Sequence, residues 1–155
     1  MTSAGVNPRQ RWWVLAGEIV TVGIPFCAFK LLTGAIALGS PAAGLGYVLV
    51  GLGAIDLVLN TINLVTLLTM RRRVSAVCLT EVVLAGGRGD ASLGLAIDVF
   101  VSFGLVAVVV GASLLSRLSP WQLMVWNIAV VLNVLGAGIA RLLGAVRGPR
   151  NPAPS

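Results

Sequence analysis

The chain reads as an all-α protein, a polytopic integral membrane protein built as a four-transmembrane-helix bundle. Three observations point there. Of 155 residues, 57% are hydrophobic and only 10% are charged, against roughly 25% charged in soluble domains. Mean hydropathy is +0.99. Four apolar stretches each reach the roughly 20 residues that a helix needs to cross a bilayer.

The first stretch, 13–37, follows Arg9 and Arg11 and carries Pro25 in its interior. Proline has no N–H, so the carbonyl of Thr21 loses its helical donor and a kink is expected. Ala35-Ile36-Ala37 resembles a signal-peptidase site, but the stretch far exceeds the roughly 7–15 apolar residues of a signal core. The second stretch, 45–69, follows an uncharged turn containing Gly39, Ser40 and Pro41. The third, 93–115, and the fourth, 120–143, are joined by a short link. There Ser119, Pro120 and Gln122 supply a cap, a first-turn proline and a capping box. Residues 1–12 form a cytoplasmic N-terminal segment. The tail 144–155, rich in Pro and Gly, is expected to be disordered.

The connection 70–92 opens with Arg71-Arg72-Arg73. Its apolar part, 74–85, is too short to span, so an interfacial helix with Glu81 toward water is expected. Arg88-Gly89-Asp90 spells an adhesion tripeptide and is read as chance. Nine arginines, at 9, 11, 71, 72, 73, 88, 141, 147 and 150, fall on one side of this topology, and Arg117 alone falls on the other. The positive-inside rule then puts both termini in the cytoplasm of a bacterial-type plasma membrane. Arg71, Arg72 and Arg73 serve topology and lipid headgroups. The net charge of +6 is assigned to the same cause, and no nucleic-acid partner is expected.

Polar residues inside the spans are the functional clue. Asp56, Asn60 and Asn63 are spaced by four and then three residues, which places them on one helix face. A carboxylate and two amides in hydrocarbon are costly and need partners. At 1.5 Å per residue, Asp56 lies near the midplane. Asn133 lies at similar depth, Glu18 and Asp98 in the cytoplasmic third, and Lys30 and Asn127 in the outer third. This set could line a path across the bundle. It could equally glue helices together, with Asn133 as partner of Asp56 or Asn60. On that reading Glu18 and Asp98 pair with Arg71 to Arg73, and Lys30 snorkels outward. Val58-Leu59-Asn60 recurs as Val131-Leu132-Asn133, consistent with a duplicated hairpin. Gly136, Ala140 and Gly144 form a small-residue face suited to close helix packing.

The chain has no His and two Cys, at 27 and 78. No nucleophile motif, phosphate loop or metal-ligand spacing appears. Enzyme, cofactor and metal functions are therefore not expected. The expected partners are the lipid bilayer and either a second copy of the chain or another membrane protein. Two functions remain: a non-enzymatic membrane protein that packs with such a partner, or a small ion, proton or solute transporter or channel using the Asp56 face. The charge asymmetry makes a prediction. Alkaline phosphatase fused after Ser155 stays inactive, whereas fusion at Ser116 is active; the reverse pattern overturns the orientation.

Overall fold

The computed structural model describes residues 8–72, 75–76, 78–86 and 91–146. Among them every regular element is helical. α1 is Pro8–Glu18, followed by a π-helical turn Ile19–Gly23 and by α2, Ile24–Leu38. α3 is Ala43–Met70, α4 Leu79–Gly86 and α5 Ala91–Gly111; a 3-10 turn Leu114–Arg117 precedes α6, Pro120–Val146. Three helices are long and apolar enough to cross a membrane: Trp12–Leu38, Ala43–Met70 and Pro120–Ile139. The fourth apolar helix, α5, ends at Gly111, and among the described residues its apolar part is Ala96–Gly111. The expected third span, 93–115, thus ends early. Ser113 adopts a left-handed conformation, φ 55°, which closes a helix end as Gly or Asn usually does.

Pro25, where a kink is expected, closely follows a π turn. The N–H of Ile24 bonds to the carbonyl of Ile19, so the helix widens by one residue just before the proline. One π turn takes up the missing donor and joins α1 to α2 as a continuous rod. This rod is the most buried of the three spanning helices, and α3, α5 and α6 all pack against it. Small residues let them approach. A Cβ on Gly46 of α3 would sit 2.8 Å from the backbone nitrogen of Leu38. On α6, a Cβ on Gly136 would sit 2.4 Å from Thr21 Cβ, in the π turn. Gly136 therefore packs within the chain. The side-chain surroundings of Ala140 and Gly144 lie outside the described residues.

Beyond the π turn, toward Leu38, the core is apolar. Phe26, Phe29, Leu32, Ile36, Val109, Trp126 and Ala129 form one cluster, with the Phe29 and Trp126 rings 4.9 Å apart. The outward faces are apolar too: Val48, Ile55, Val58, Ile62 and Val65 on α3, and Met124, Ile128, Val131 and Leu135 on α6, are exposed. Polar side chains inside and apolar ones outside are what a lipid surround favours.

The helix ends follow local chemistry. Ser40 closes the first turn: its hydroxyl donates to Ala37 O at 2.8 Å and accepts from Ala42 N at 3.1 Å. At the start of α6, the Ser119 N–H and hydroxyl both donate to Gln122 Oε1, at 2.8 and 3.0 Å. That is the reciprocal half of the capping box read from the sequence. α1 begins at Pro8, within the segment assigned to the N-terminal extension, and α6 runs to Val146, into the tail expected to be disordered. The rest of both termini, Arg73 and Arg88 to Asp90 lie outside the described residues. The packing at Gly136 carries a prediction. Gly136→Leu lowers the unfolding midpoint in detergent, by the ~1–3 kcal/mol of an overpacked core. Gly138→Leu, where an added Cβ would meet no atom within 4 Å, leaves it unchanged.

Candidate functional site: a buried ion cluster beneath a cavity

The polar face of α3 is buried: Asp56 and Asn60 are 2% exposed and Asn63 is 0% exposed. Its partners are not those expected. Lys30 does not snorkel outward. It is 3% exposed, and its ammonium donates to Asp56 Oδ2 at 2.5 Å and to Asp98 Oδ1. The cause is helix geometry: side chains lean toward the helix N-terminus, so Lys30 reaches inward, away from Leu38. Among the described residues Asp98 is tied to Lys30 and not to Arg71 or Arg72. Arg71 instead lies over the Trp12 ring, 5.8 Å from its centroid. Fully ionised, the cluster of Lys30, Asp56 and Asp98 carries one surplus negative charge.

The second Asp56 oxygen is also used. Asp56 Oδ1 accepts the backbone N–H of Leu79 at 2.6 Å. Leu79 is the first residue of α4, so this carboxylate meets the positive end of the helix dipole. Asn63 holds the stretch leading there. Its Nδ2 donates to the carbonyls of Ser75 and Ala76, at 3.1 and 2.9 Å, and its Oδ1 accepts from Ser75 N at 3.0 Å. Of the segment 74–85 expected to be an interfacial helix, the part from Leu79 is helical, as α4. Arg71 ends α3 in a left-handed conformation. Ser75 and Ala76 then lie against Asn63, and Leu79 lies at the level of Asp56, about 21 Å from the end of α3 at 1.5 Å per residue. The polar face of α3 supplies the hydrogen bonds that this non-helical backbone requires. α4 then packs on α5, where a Cβ on Gly94 would sit 2.8 Å from Glu81 Cα. Glu81 is half-buried.

Asn60 does not pair with Asn133. Its Nδ2 donates to the Asp56 carbonyl at 2.8 Å and approaches Cys27 Sγ at 3.7 Å. Asn133 is half-buried, and its Nδ2 has no hydrogen-bond partner. Thr33 Oγ1 and Ser102 Oγ, both buried, are likewise without partners. Asn127 is exposed on α6. The two members of the repeat-related pair, Asn60 and Asn133, therefore have different surroundings.

A cavity of about 370 Å³ abuts the cluster. Its lining on the first helix runs from Leu15 to Lys30, about 22 Å. Asp56, Asn60, Asp98, Cys78 and Gly136 close other sides. Glu18 borders it and is exposed; Asn63 and Asn133 do not line it. The side toward Leu38 is filled by the apolar cluster around Phe29 and Trp126. Both cysteines are free and buried. Cys78 lies in the connection, outside the spanning helices, and burial pushes its thiol above the ordinary range. No group of three potential metal ligands occurs among the described residues.

Sequence reasoning missed Lys30 as the partner, the Leu79 amide and the place of Cys78. Only the first left a signal: a lysine eight residues before the end of an apolar helix has a long reach to either surface. Comparison with protein-family models, characterised proteins and solved structures found no match to this chain. The Asn63 clamp can be tested through Cys78. Asn63→Ala frees the returning segment, and Cys78 then reacts with N-ethylmaleimide at least tenfold faster than in the wild type; an unchanged rate means that Asn63 does not hold it.

Proposed function

We propose that this protein is a non-enzymatic multi-pass membrane protein of the transport class, and that Lys30, Asp56 and Asp98 form its reversible proton or cation site. Four helices cross the membrane on this reading, α5 being the fourth, with both termini cytoplasmic. One observation carries the proposal: two carboxylates share one ammonium, out of water, at the end of a cavity. Charge taken from water costs several kcal/mol per ion even in paired form. Amides or small apolar residues join helices without that cost. A site that gains and loses a positive charge, by contrast, needs ionisable groups. One proton or cation makes the cluster neutral, and its loss restores the surplus charge. Because Asp56 also holds the Leu79 amide, the charge state acts directly on the returning segment.

A purely adhesive role, in contact with a second copy or another membrane protein, is the competing reading. Conservative variants separate the two. The purified chain in liposomes, given a pH gradient and a valinomycin clamp, conducts protons measured by an internal dye. Asp56→Asn and Asp98→Asn keep hydrogen bonding but lose ionisation, and each lowers flux at least tenfold while the unfolding midpoint shows the protein still folded. Flux unchanged in both variants leaves only the adhesive role.

A further inference from the structure

We infer that the cavity is a binding site for a small organic cation, a molecule with one positive charge on a largely apolar body. The inference rests on the transport reading and names the chemistry of what is carried. Its size is the first argument: about 370 Å³ falls in the lower part of the roughly 300–1,000 Å³ range of small-molecule pockets. The walls are the second. Leu15, Ile19, Val22, Phe26, Val99 and Ala137 line it and offer an apolar body the contacts it seeks.

Charge is the third argument. Among the described residues, the acidic and basic side chains that line the cavity are Glu18, Lys30, Asp56 and Asp98. Three carboxylates thus face one ammonium. That ammonium is already held by two of them, so an anion finds no free positive group. Low-dielectric walls strengthen the field of the surplus negative charge. Glu18, exposed at the border, meets an incoming cation first. The ion cluster provides the inner counter-charge. A neutral molecule of the same shape gains the apolar contacts alone, and an anion is repelled.

Equilibrium dialysis of radiolabelled phenyltrimethylammonium against the purified full chain in detergent tests this, with empty micelles subtracted. Saturable binding of one cation per chain is expected. Unlabelled phenyltrimethylammonium displaces it, whereas acetophenone and benzenesulfonate, similar in size but neutral and anionic, do not. Glu18→Gln weakens binding at least tenfold; as the altered side chain is exposed, the fold is kept. No saturable binding, displacement by benzenesulfonate, or equal affinity in Glu18→Gln overturns the inference. Proton flux in the same preparations is read separately. Flux that depends on Asp56 and Asp98 without cation binding removes this inference and leaves the transport reading. Cation binding without flux does the reverse.

Discussion

The contacts between the helices centre on the need to satisfy one buried carboxylate. Asp56 Oδ2 takes the ammonium of Lys30, and Asp56 Oδ1 takes the Leu79 amide. Lys30 in turn takes Asp98. These contacts join the first helix, α3, α5 and the connecting segment at one point. A charge left unpaired there would cost several kcal/mol, so each element must reach that point at once. The demand explains why α5 lies against the first helix and why Leu79 lies at the level of Asp56.

The returning segment shows how polar residues on a spanning helix substitute for secondary structure. Extended backbone cannot face lipid, because its N–H and C=O groups have no partners there. Asn63 gives Ser75 and Ala76 the bonds that a neighbouring strand would give, and Asp56 caps the helix that follows. The three polar residues on α3 are therefore not equivalent. Asp56 joins ions and helix end, Asn60 bonds to its own helix beside Cys27, and Asn63 clamps backbone. Only the first two border the cavity.

The cavity exists because the two halves of the first helix pack differently. Toward Leu38, large rings fill the space between helices. In the inner half, the π turn and Gly136 bring α6 against Thr21, while Asp98 and Val99 stand beside the opening. An apolar seal on one side and an ion cluster below it give a chamber with one chemical polarity. The proposed transport role rests on that polarity.

Much was legible in the sequence, for reasons of solvent. The bilayer imposes length and hydropathy on each crossing helix, so the apolar helices, the Ser40 turn and the Ser119 start could be read from local pattern. So could the disturbance at Pro25, because a missing N–H is a property of one residue. The shared face of Asp56, Asn60 and Asn63 followed from helical periodicity. What occupies that face did not. Lys30 is 26 residues from Asp56 and 68 from Asp98 along the chain, and a long flexible side chain can serve either surface until its neighbours are placed. The approach of Ser75, Ala76 and Leu79 to the polar face of α3 leaves no periodic signal either, since such contacts depend on what the segment touches. By itself the sequence determined where the long apolar helices lie and which groups need partners. Only the tertiary structure decided which partners they have, because hydropathy and period are local while charge pairing and hydrogen bonding across helices depend on packing in three dimensions.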